Sequence, residues 1–215
     1  ILAASDSWRV VMRGTGGHGS MPYQGTDPTV AAGQFIVALQ SIVTRNINAL
    51  ESAVISIGHL AGGDEASPNV IPSEVRIRGT ARSFRPEVRD ILERRIGEVA
   101  HHAAATLGVA AEYEYERRYP ATINHTQETE TATRAAIAAV GEDSVIPNVA
   151  PMPGGEDFSY MLEKVPGSYV LIGNGTATAE SFVHAPLYDF NDDIIVAGAS
   201  FWAHLVAAEL GGAGG

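Results

Sequence analysis

The sequence contains no cysteine, which excludes disulfides and thiolate chemistry and leaves the redox compartment unreadable. Basic residues are scarce: 14 Lys and Arg stand against 25 Asp and Glu, a formal net charge of -11. Holding a phosphate backbone needs clustered cations, so no nucleic-acid partner is expected. No run of apolar residues approaches the ~20 that span a bilayer, and no membrane partner is expected. The opening Ile1-Leu2-Ala3-Ala4-Ser5-Asp6 has neither an initiator Met nor a basic n-region. It is not a secretory signal and reads as a chain begun in mid-sequence. There is no internal repeat and no heptad array. What is present is ordinary: 215 residues, 45% hydrophobic, enough for one large domain or two small ones. The Gly- and Ala-rich end after Leu210 reads as a frayed tail.

Trp8 to Arg13 alternates apolar and polar residues, Val11 excepted, and predicts a strand with one wet face. A Gly-rich loop follows, from Gly14 to Gly25. Asp27 then suits a helix N-cap and Pro28 the first helical position. Val30, Ala31, Phe35, Ala38, Leu39 and Ile42 recur at helical steps and predict a buried stripe. Ser52 to Leu60 and Val75 to Thr80 read as strands, joined by a long loop from Ala61 to Pro72. Pro86 opens a second helix, ended by Gly108. Val109 to Arg117 is a fourth strand, with Ala111, Tyr113 and Tyr115 opposing Glu112, Glu114 and Glu116. The order βαββαβ predicts a four-stranded antiparallel sheet with both helices on one face. With the fourth strand beside the first, the Glu row faces Arg9 and Arg13. Arg76 and Arg78 fit that arrangement less well.

Composition shifts at Tyr119-Pro120-Ala121-Thr122. Beyond it, helices are predicted over Gln127 to Val140, Glu156 to Leu162 and Ile194 to Leu210, the last capped by Asn191 or Asp192. Tyr169-Val170-Leu171-Ile172 reads as a buried strand. One strand cannot close a sheet, so this part reads as completing a sheet begun elsewhere.

Five stretches carry polar groups suited to chemistry. His18 sits among small residues in Gly16-Gly17-His18-Gly19-Ser20-Met21-Pro22, open to close approach by a ligand. Its imidazole suits donation to an oxyanion, and the plainer alternative is a surface turn. Asn69, in Ser67-Pro68-Asn69-Val70-Ile71-Pro72, offers amide donors and an acceptor, or is a turn residue. Arg82 ends the third strand, as a carboxylate fork or a solvated charge. Gly154-Gly155-Glu156-Asp157-Phe158 lines a site or merely starts a helix. His184, in Val183-His184-Ala185-Pro186-Leu187-Tyr188-Asp189-Phe190-Asn191-Asp192, is a candidate metal ligand or a loop residue.

Taken in order, these stretches, with Asp27-Pro28 and Arg78-Gly79-Thr80-Ala81-Arg82-Ser83-Phe84, resemble the M20 metallopeptidases. The resemblance is greatest to the branch of hippurate hydrolases, N-acyl-amino-acid amidohydrolases and auxin-conjugate hydrolases. It implies an α/β catalytic domain interrupted by a ferredoxin-like α+β lid that also forms a homodimer. Residues 1–118 would be the lid and 119–215 the C-terminal part of the zinc-peptidase-like catalytic domain. It implies two divalent ions (Zn, Mn, Co or Ni) in the complete enzyme, with His184 the last metal ligand. His18 would reach a neighbouring subunit's site and stabilise the tetrahedral intermediate. Asn69 and Arg82 would hold the substrate carboxylate, and Gly154 and Gly155 would line the pocket.

In that family the other ligands and the paired glutamates precede the lid, and one ligand is commonly a Cys. The chain alone is therefore expected to hold no metal stably and to be inactive. A missing N-terminal fragment is an expected partner. The complete enzyme is expected in the cytoplasm, hydrolysing N-acyl amino acids. The alternative is a stand-alone small-molecule-binding or dimerisation module without catalysis.

Overall fold

A computed structural model describes residues 1–175 and 183–211. The chain divides into two compact units, one of residues 1–122 and 151–160, the other of 123–150 and 161–215.

The first unit is built on four long strands. They are β1 (Ala4–Arg13), β3 (Ala53–Gly62), β5 (Glu74–Ser83) and β6 (Ala110–Arg117). They pair antiparallel in the order β3-β5-β1-β6. Two short strands, β2 (Gly17–His18) and β4 (Val70–Ile71), pair separately. Helices α1 (Pro28–Leu39), α2 (Ser41–Asn46) and α3 (Pro86–Thr106) supply the other half of the core. Asp27 caps α1 as expected, accepting from Thr29 N at 2.7 Å. Gly108 leaves α3 at φ +67, a left-handed conformation that favours glycine.

Strand alternation sets which residues enter the core. Val10, Met12 and Ile77 meet Phe35, Leu39, Ile42, Leu92 and Ile96, all fully buried. Trp8 packs edge-on against Phe35, ring centres 6.0 Å apart. Each such side chain stabilises the fold by roughly 1.5–3 kcal/mol. Val30, expected in the α1 stripe, instead faces outward at 49% exposure, as does Val37 at 77%. The buried residues Ala31, Phe35 and Leu39 keep the four-residue step, and Val30 lies one position off it.

The opposite face of the sheet is polar. Arg9 meets Glu114 at 2.6 Å and Arg13 meets Glu112 at 2.8 Å, the expected Glu row against Arg row. The bond from Arg13 holds the Glu112 carboxyl below its ordinary range. These exposed pairs contribute little to stability. Arg76 turns to Glu74, and Arg78 stands opposite Arg9.

Among the described residues, one ion pair is buried. Asp6 Oδ2 accepts from Arg89 Nε at 2.9 Å, with the Asp6 side chain 2% and the Arg89 side chain 12% exposed. Tyr115 donates to the same oxygen at 2.8 Å, and the Arg118 backbone N–H donates to Oδ1 at 3.0 Å. The carboxylate thereby ties β1, α3 and the segment after β6 together. Burial first, then the Asp6 charge, pushes the Tyr115 phenol above its ordinary range.

In the second unit, α4 (Thr126–Val140) packs on α6 (Ile195–Leu210) through Ala132, Ala135 and Phe201. Asn191 accepts from Asp193 N at 3.0 Å and opens a single 3-10 turn before α6, so the expected cap is there. The predicted strand at Tyr169–Ile172 is not formed, and Val170, Leu171 and Ile172 are 42%, 53% and 48% exposed. A strand needs a neighbour for its backbone groups, and the described residues of this unit supply none. The predicted helix from Glu156 shortens to α5 (Ser159–Leu162).

Asp192–Leu210 spans 19 residues and holds a window of mean hydropathy 1.4, so by length and composition only it is long and apolar enough to cross a membrane. Asp193, His204 and Glu209 break its apolar run in sequence, as the sequence reading has it. The residues beyond Gly211, expected to fray, lie outside the described set.

Candidate functional site

His18 and Asn69 come together through the β2–β4 ribbon, where His18 is in register with Val70. Gly16, at φ +65, starts the ribbon, and a Cβ there would stand 2.5 Å from the Ile71 carbonyl oxygen. The Gly19 N–H donates to the Asn69 carbonyl at 2.7 Å. The chain then reverses, with the Met21 N–H donating to the His18 carbonyl at 2.8 Å. Both the His18 ring and the Asn69 amide are exposed to solvent. The Asn69 side chain makes no hydrogen bond among the described residues.

Arg82 lies on the polar face of β5, in register with Ser5 on one side and Val54 on the other. Its guanidinium donates to the Ala81 carbonyl at 3.0 Å and has no carboxylate partner among the described residues. Ser5 in turn meets the segment before α5. The Ala3 N–H donates to the Met152 carbonyl at 3.1 Å, laying residues 151–155 along the start of β1. A Cβ on Gly155 would stand 2.6 Å from Ser5 Cβ, so glycine permits this approach. Gly154 is open, with nothing among the described residues within 4 Å of such a Cβ. Arg82, Ser5 and Gly155 therefore form one corner.

The two groups attach to opposite ends of β5. The ribbon leaves at Glu74, and Arg82 is eight residues further, roughly 27 Å along the strand. His184 belongs to the second unit. It is exposed, with a left-handed φ of 69 that non-glycine residues seldom adopt. Its loop is pinned by Asn174, which donates to the Asp189 carbonyl at 2.9 Å and accepts from the Asn191 N–H at 2.8 Å.

Residues 13–208 match the family described as peptidase family M20/M25/M40. The chain belongs to the M20 peptidase family. Among its relatives are the N-acetylcysteine deacetylase of Bacillus subtilis, 36% identical over 98% of this chain and 53% of that protein. The hippurate hydrolase of Campylobacter jejuni is 32% identical over 98% of this chain and 54% of that one. The crystal structure of Bacillus subtilis YXEP, described as a dinuclear metal-binding peptidase of the M20 family, matches with a TM-score of 0.73. It is 28% identical, over 98% of this chain and 51% of that one. The chain thus spans about half the length of the relatives it matches.

Among the described residues of this M20 chain, no three His, Cys, Asp or Glu side chains gather as a metal site would require. His184 is at most one ligand, and the residues present do not by themselves fit a dinuclear centre. Sequence reading missed three contributors. Ser20 contacts the His18 ring, Ser5 lies under Gly155, and Asn174 pins the His184 loop. Ser20, two residues after the histidine, was open to discovery by its spacing. Ser5 and Asn174 act through register and loop closure, which carry no local signal.

Proposed function

We propose that this chain is the lid and the C-terminal catalytic portion of an M20 amidohydrolase that cleaves the amide bond of N-acyl amino acids. Residues 1–118 are the lid and dimerisation domain, and 119–215 are the catalytic portion. The strand order β3-β5-β1-β6 with helices on one face supports a ferredoxin-like lid. The observation that carries the reading is the pairing of the matched family with an Arg82 that has no carboxylate partner among the described residues and lies beside Gly155.

Arg82 receives the substrate carboxylate with its planar fork. Gly154 and Gly155 leave room for the ligand beside it. His18 donates to the oxygen that gains charge as the amide carbonyl is attacked, and Asn69 offers its amide to the same substrate. The span between the two groups on β5 far exceeds an N-acyl amino acid. One pocket therefore takes Arg82 from one protomer and His18 with Asn69 from its partner.

A homodimer supplies that arrangement. Edge strand β3 and the outward side of α1, where Val30, Gly33, Val37 and Ala38 line a shallow apolar hollow, are the surfaces suited to it. His184 is the single metal donor proposed here, and one imidazole does not hold a catalytic ion. Two divalent ions, Zn, Mn, Co or Ni, belong to the complete enzyme, a cytoplasmic protein in this reading. The exposed Val170, Leu171, Ile172 and the apolar side of α6 suit contact with an N-terminal fragment.

The chain alone, supplied with N-acyl amino acids and Zn²⁺, Mn²⁺ or Co²⁺, should show no turnover above buffer. The complete enzyme should show metal-dependent release of the amino acid. Robust turnover by the isolated chain would sink the division of labour proposed here.

A further inference from the structure

The turn that reverses the chain after β2 folds a backbone donor onto the ring of His18. Ser20 N lies 3.1 Å from His18 Nδ1, and Ser20 Oγ lies 3.0 Å from the same nitrogen. The arrangement resembles an Asx turn, with an imidazole nitrogen taking the place of the Asn or Asp oxygen. The turn is held from outside by the Gly19 N–H on the Asn69 carbonyl at 2.7 Å and closed by the Met21 N–H on the His18 carbonyl at 2.8 Å. The ring's position is therefore set within four residues and anchored to β4.

A peptide N–H only donates. Nδ1 must therefore offer its lone pair, and the single proton of the neutral imidazole resides on Nε2. We infer that Ser20 is the positioning residue for His18, fixing the Nε2–H tautomer so that the ring presents a donor to its ligand. The inference rests on the reading of His18 as the group that meets the oxyanion. The other tautomer would turn a lone pair toward that negative charge and repel it. The Ser20 hydroxyl lies against the same single lone pair and at best shares it, and the backbone N–H is the group that dictates the choice.

The test is the tautomer itself, read in the intact chain without catalysis. Histidine rings are labelled with ¹⁵N, and long-range proton–nitrogen correlations are recorded above the ordinary imidazole titration range. The His18 signals are those that vanish in His18→Gln. A hydrogen bond of ordinary net strength shifts a two-state ratio by roughly two- to tenfold. The Nε2–H preference of His18 should exceed that of the exposed His59 and His102 by that factor. Ser20→Ala, which keeps the N–H, should retain most of the bias, and Ser20→Pro should lose it. A His18 ratio equal to that of the exposed histidines, or a proton on Nδ1, overturns the inference whether or not Ser20→Pro folds. Hydrolysis by His18 variants of the complete enzyme reads the functional role separately, so either idea can fail without the other.

Discussion

Replacing Arg89 by Met should destabilise the first unit by about 3 kcal/mol, because it strands a buried carboxylate. Asp6 and Arg89 are 2% and 12% exposed, and the guanidinium makes two bonds to the carboxylate while also donating to the Arg118 carbonyl at 3.0 Å. Breaking a buried pair by removing one partner costs about 3–5 kcal/mol. The lower end applies here, because Tyr115 and the Arg118 N–H still hold the anion after the substitution. Urea unfolding followed by circular dichroism should place the variant's midpoint about 1–3 M lower, for slopes of about 1–3 kcal/mol/M. Asp6→Asn combined with Arg89→Met should cost less than the two singles together, since the double variant leaves no buried charge unpaired. The reasoning fails if Arg89→Met costs under about 1 kcal/mol or if the two substitutions are additive. Asp6 adjoins Ser5, which pairs with Arg82 and lies against Gly155.

The outward side of α1 is tested by Val37→Glu. The fold should survive, because Val37 is 77% exposed, but the dimer should dissociate in sedimentation. An unchanged oligomeric state would remove this surface from the assembly. The buried tyrosines set an alkaline limit. Burial, then Glu93 and Asp6 for Tyr113 and Asp6 for Tyr115, raises both phenols in the folded state. A raised folded value gives stability that is complete below the ordinary phenol range, about 10, and is lost as pH rises beyond it. Absorbance titration should show these two of seven tyrosines ionising only as the chain unfolds. Ionisation of all seven in the ordinary range with the fold intact would contradict their burial.

The first unit was legible because its signals are local and repeated. Alternation in β1, β5 and β6, the Asp27 cap and the Glu row all survive into the structure. The β2–β4 ribbon was not legible, since two residues per strand carry no period. Val30 misled because its neighbour Ala31 occupies the buried step, and one position on a helix turns a side chain by about 100°. The 169–172 segment has the composition of a buried strand, but its neighbours would have to come from outside the described chain. At the candidate site, residue types pointed to chemistry, whereas grouping needed register. Only the Ser5–Arg82 pairing reveals that Arg82 shares a corner with Gly155 and not with His18.

The division of the site between protomers is tested most directly by mixing two inactive variants of the complete enzyme, His18→Gln and Arg82→Met, each folded and dimeric. Subunit exchange places one intact pocket in every mixed dimer. Hydrolysis of an N-acyl amino acid should then return to about a quarter of the wild-type rate, since half the dimers are mixed and each has one intact site of two. Mixed dimers that form yet hydrolyse nothing would contradict the account.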